Sequence, residues 1–104
     1  MNPSQNDALD RDQVLATLRQ LAPQLQQKYG VTRLGIFGSV ARNEATPNSD
    51  IDIVLELTIP DLFTMVDIKT DLEETFQRSI DLIRYRPRMN PYLKRRIDHD
   101  AIFI

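Results

Sequence analysis

Residues 35–54 read Gly-Ile-Phe-Gly-Ser-Val-Ala-Arg-Asn-Glu-Ala-Thr-Pro-Asn-Ser-Asp-Ile-Asp-Ile-Val. Upstream, Thr32 to Phe37 is short, apolar and rich in strand-forming residues, and it runs straight into Gly38 and Ser39. A turn and a short helix from Val40 to Glu44 should follow, then a loop over Ala45 to Ser49 punctuated by Pro47 and Asn48. From Asp50 to Leu57 polar and apolar residues alternate in the period of a second strand. Alternation puts Asp50 and Asp52 on one face and Ile51, Ile53 and Leu55 on the buried one.

Two aligned carboxylates repel by about 1 to 4 kcal/mol at about 4 Å, so a fold that brings them together calls for a cation. Magnesium suits them, because it takes carboxylate oxygens and shares its other positions with water and substrate phosphates. A pair of such ions would stabilise both the attacking and the leaving oxygen of an in-line phosphoryl displacement. In Ile80-Asp81-Leu82-Ile83 a third acid interrupts an apolar strand, where an unpaired carboxylate is costly. If that strand lies beside the second, Asp81 can complete the metal site or accept the proton of an attacking hydroxyl. Gly38 lets backbone approach a phosphate, and Ser39 opens a helix whose free N–H groups favour an anion. Arg42 could grip a phosphate or a partner, or make a structural pair with Glu44 or an aspartate.

Outward from this stretch, Asp10 can cap a helix in which Val14, Leu15, Leu18, Leu21, Ala22 and Leu25 recur at helical spacing until Gly30. Pro23 should kink it or split it into two abutting helices. Thr58 to Asp61 has capping-box spacing ahead of an apolar face formed by Leu62, Met65, Ile68, Leu72 and Phe76, continuing to about Arg78. Ile80 to Tyr85 reads as a third strand, and Asn90-Pro91 opens a basic helix to about Ala101. The expected order is α-β-α-β-α-β-α, an α+β domain over residues 10–104 behind a leader of residues 1–9.

With 104 residues, 41% of them hydrophobic and 27% charged, the chain fits one compact core with little room for a deep acceptor pocket, so a partner could supply part of the site. The absence of cysteine removes disulfide scaffolds, zinc-thiolate sites and thiol nucleophiles, and makes the cytoplasm the default compartment. No apolar run approaches membrane-spanning length, and the first residues lack the apolar core of a signal peptide. A net charge of −2 argues against direct nucleic-acid binding. The six basic residues between Arg84 and Arg96 have no acid among them, leaving seven basic against fifteen acidic elsewhere. That segment reads as a solvated helix face or as a surface that steers an anionic ligand or an acidic partner. His99 reads as a surface or capping residue, Tyr85 and Tyr92 as core fillers, and Glu56 as solvated.

The quoted run closely resembles the signature of the DNA polymerase beta-like nucleotidyltransferases, specifically the minimal nucleotidyltransferases called MNT proteins. Ile80-Asp81-Leu82 and the ending Asn90-Pro-Tyr-Leu-Lys-Arg-Arg-Ile-Asp-His-Asp-Ala101 extend the resemblance to roughly residues 12–104. It implies a small mixed sheet flanked by helices, with Gly38 and Ser39 holding the triphosphate of ATP and Asp50, Asp52 and Asp81 binding two magnesium ions. Many such proteins are antitoxins, paired in hetero-oligomers with a HEPN-domain ribonuclease toxin. They transfer AMP from ATP to a toxin tyrosine near its RNase motif. Two other outcomes stay open, a non-catalytic antitoxin that occludes the toxin and a nucleotidyltransferase acting on a small molecule. Where the family pattern usually has glycine this chain has Asn43, a residue that tolerates the left-handed conformation.

Overall fold

The computed structural model describes residues 9–104. Of the expected leader, residues 1–8 lie outside the described residues, while Leu9 is half-buried and packs against the core. Helix α1 spans Arg11–Tyr29; the Asp10 carboxylate accepts from the Asp12 N–H at 2.9 Å, and Gly30, at φ 76°, closes the other end. Pro23 lies inside α1 and does not divide it. Its side chain is exposed, so the carbonyl it leaves without a donor faces water, while Leu18 and Leu25 pin the flanking turns to the core.

Strand β1 (Val31–Phe37) leads into the single turn α2 (Gly38–Ala41), and β2 (Ile51–Leu57) follows the loop. Helix α3 (Leu62–Phe76), β3 (Ile80–Arg84), α4 (Pro91–Asp100) and the two-residue β4 (Ile102–Phe103) complete the chain. The sheet is mixed, in the order β3-β2-β1-β4, with β2 and β3 parallel across α3 and the other pairs antiparallel. β4 adds an eighth element to the expected seven. The short helix ends at Ala41 and not Glu44, because Asn43 turns the chain at φ 61°. Asp61, and not Thr58, caps α3 by accepting from the Phe63 N–H at 2.9 Å. Thr58 is drawn instead to Gly30, whose carbonyl accepts from both its N–H and its hydroxyl.

One sheet face carries Leu34, Ile36, Ile51, Ile53 and Leu55, buried beneath α1 and α3. On the opposite face Phe37 and Val54 are buried beneath Ile97 of α4 and Met89. Val54 shares the side of Asp52, so that side is a second core with carboxylates at its margin and not a wholly solvated face. The position of α4 depends partly on Asn90, whose Oδ1 accepts from the Leu93 N–H at 3.1 Å. Asn90→Ala is expected to lower stability by about 1 kcal/mol in chemical denaturation.

Candidate active site

Strand pairing brings the key acids together. Asp52 is in register with Asp81 on parallel β3 and with Phe37 on antiparallel β1. Neighbouring strands lie about 4.8 Å apart, so the two carboxylates leave one face side by side. Asp50 falls just before β2 and is exposed, so the strand does not fix its orientation as the alternation implied. Its loop is tied down on both sides. Ser49 Oγ accepts from the Thr46 N–H at 2.9 Å, and the Ile51 N–H donates to the Ser79 carbonyl at 3.1 Å. Arg78 Nη1 donates to the carbonyls of Pro47 and Ser49, clasping the segment that carries Asp50. Nothing in the sequence marks Arg78 for this role, because the contact joins segments about 30 residues apart.

Asp52 is half-buried, and its carboxyl is pushed up to about 6 from 3.8. Burial is the main cause and repulsion from Asp81 adds to it; Arg96 pulls the other way, followed by a smaller repulsion from Asp50 and a smaller opposing pull from Arg42. Gly38 presses on the same group. Its φ is 70°, and a Cβ built there would collide with the Asp52 carboxylate. Glycine is therefore required at this position by the acid beside it, a nearer reason than the approach of a phosphate. Ser39 is half-buried at the first turn of α2. Because α2 is only four residues long, it offers its first-turn N–H groups to an anion but almost no macrodipole.

Arg42 is engaged on two sides. Its Nε donates to Glu44 at 2.9 Å and its Nη1 to Asp100 at 2.7 Å. His99 Nδ1 lies 2.8 Å from the other oxygen of Asp100, and these contacts hold that carboxyl below its usual range. Glu56 pairs with Arg33 at 3.2 Å. Tyr85 does pack into the second core, with its hydroxyl donating to Asp98 at 2.8 Å. Tyr92 does not, because its place on the outer side of α4 leaves it 65% exposed. A cleft of about 220 Å³ opens elsewhere, between α1 and α3, around Leu21, Lys28, Tyr29 and Asp71, and none of the three acids lines it.

Among the described residues no three His, Cys, Asp or Glu side chains form a ready-made ion cage. The donors nevertheless fit magnesium. They are hard carboxylate oxygens on adjacent strands, and burial together with the neighbouring acids disfavours the charge on Asp52, a charge that a cation would favour. Magnesium is held by one or two carboxylates together with substrate phosphates, so a complete protein cage is not needed.

Residues 18–104 match the family of nucleotidyltransferase domains. A Methanocaldococcus jannaschii protein, provisionally named a protein adenylyltransferase, is 39% identical over 88 residues, 84% of this chain and 90% of the relative. The solved structure of a protein provisionally described as a minimal nucleotidyltransferase superposes with a TM-score of 0.72 at 29% identity, covering 89% of this chain and 94% of the other. A chain from the complex of tri-AMPylated Shewanella oneidensis HEPN toxin with MNT antitoxin shares the fold. Its TM-score is 0.58 at 18% identity, covering 91% of this chain and 68% of that one.

Proposed function

Because the chain belongs to the family of nucleotidyltransferase domains, we propose that it transfers AMP from ATP to a tyrosine of a HEPN-domain ribonuclease, acting as that toxin's antitoxin. The observation that carries this reading is the in-register pair Asp52 and Asp81, with Gly38 pressed against it. Support for the acceptor comes from the name of the Methanocaldococcus relative and from the AMP groups on the Shewanella toxin. Residence in the cytoplasm and assembly with the toxin belong to the same reading.

Asp50, Asp52 and Asp81 would hold magnesium, two ions in the full arrangement, which neutralises charge on the phosphates. Gly38 and Ser39 receive the triphosphate through backbone N–H groups. Asp81 accepts the proton of the tyrosine hydroxyl as its oxygen bonds to the α-phosphorus. The bond from that phosphorus to the bridging oxygen breaks, and its electron pair leaves with pyrophosphate. Nothing in this sequence of steps needs a covalent enzyme intermediate.

Incubation with ATP, magnesium and a candidate HEPN-domain partner should raise the partner's mass by one or more AMP groups, mapped by peptide analysis to tyrosine. An unmodified partner, with chain that binds ATP, would refute the assignment. A second reading is occlusion by binding alone. It is favoured by Leu62, Phe63 and Val66 in the first turns of α3 and by Ile59 in the bend before it, which are 55% to 79% exposed.

A further inference from the structure

Near the acids the chain holds two arginines in different circumstances. Arg42 has both sides of its guanidinium engaged, by Glu44 at 2.9 Å and Asp100 at 2.7 Å. Arg96 is exposed and takes part in none of the salt bridges among the described residues. It stands one turn before Asp100 on α4, so the two side chains share a helix face. Asp100 reaches Arg42 at the end of α2, and α4 packs against both α2 and β1. The face that carries Arg96 is thereby turned toward the Gly38 turn and the Asp52 end of the sheet. Its charge is felt there, since it offsets part of the cost of ionising Asp52.

An arginine with free donors beside partly desolvated carboxylates, yet paired with none of them, is placed for an anion that arrives with its own countercharge. We propose that Arg96 binds the β- and γ-phosphates of ATP and stabilises the departing pyrophosphate, while Arg42 braces α2 against α4. The inference rests on the nucleotidyl-transfer reading above. As the α-phosphorus gains the acceptor oxygen and loses the bridging one, negative charge accumulates on the pyrophosphate. A guanidinium fork can meet it with two parallel N–H bonds. Lys94 is a poorer candidate because its Nζ is held by Asp98 at 3.1 Å. Arg95 lies about 100° further round the helix and serves as the control for a general basic field.

The test needs no acceptor protein. Inorganic pyrophosphate and ATP, each with magnesium, are titrated against the unaltered chain, Arg96→Ala, Arg96→Lys and Arg95→Ala, with thermal melts to confirm folding. Arg96→Ala should weaken pyrophosphate binding about ten-fold or more, Arg96→Lys should recover part of the loss, and Arg95→Ala should stay within about two-fold. Equal binding by Arg96→Ala and the unaltered chain, or an equal loss in Arg95→Ala, would overturn the assignment of Arg96 alone. An unaltered chain that binds neither ligand would overturn the nucleotidyl-transfer reading and this inference with it.

Discussion

Asp52→Asn is expected to lower AMP transfer by about 10³-fold or more, yet to leave the metal-free protein more stable than the parent at neutral pH. The activity loss follows from removing a charged ligand at the point where phosphate charge must be neutralised. The gain in stability follows from the carboxyl's raised pKa, from 3.8 to about 6. At low pH both folded and unfolded chains hold the proton and Asp52 costs nothing. As pH rises from 3.8 to about 6 the unfolded chain releases it first, so stability falls with pH and stays lower above that window. The full shift corresponds to roughly 3 kcal/mol, and partial solvation reduces the expected gain to about 2 kcal/mol. Denaturation in a chelator should show the variant ahead at neutral pH, with the gap closing as pH falls through that window. A variant less stable than the parent at every pH would contradict the picture of a charge held at a cost.

Gly38→Ala should be nearly as damaging to transfer, by about 10²-fold or more, and should also lower stability by about 2 kcal/mol. Two independent strains act. The backbone sits at φ 70°, which alanine adopts reluctantly, and the new methyl would occupy the place of the Asp52 carboxylate. The carboxylate could swing away, but only by leaving Asp81 and the face on which the nucleotide would bind. Unchanged transfer by Gly38→Ala would show that Asp52 need not be held where it is. The measurement is the transfer rate beside a denaturation curve for the same preparation.

These two residues also show what the sequence makes legible. The spacing from Gly38 to Asp50 and Asp52, with the later Asp81, indicates two strands bringing acids together, and the register of Asp52 with Asp81 bears out the expected adjacency of the strands. The contact between Gly38 and Asp52 is not legible in that way. It depends on β1 and β2 being antiparallel, so that Phe37 pairs with Asp52 and the turn after β1 folds onto the acid. Periodicity also misses β4, because two residues have no period and Ile102–Phe103 become a strand only through pairing with Gly35 and Ile36. The burial of Val54 is missed for a related reason. α4 packs on a face whose other residues, Asp52 and Glu56, read as a metal ligand and a solvated acid and not as core. Pro23 misleads in the opposite direction, since tertiary packing of Leu18 and Leu25 outweighs one lost hydrogen bond. Arg78 carries no local signal, because it acquires its role from a segment far away in the chain.

Turnover on the protein acceptor bears most directly on the central claim that the acids catalyse nucleotidyl transfer. The chain is mixed with a large molar excess of the proposed HEPN partner, magnesium and ATP labelled at the α-phosphate, and the label on the partner is counted against time. The account predicts that each chain labels many partner molecules, that label at the γ-phosphate is not transferred, and that Asp50→Ala with Asp52→Ala abolishes the signal. No label on the partner, or neutralisation by that double variant at the same substoichiometric dose as the parent, would contradict it.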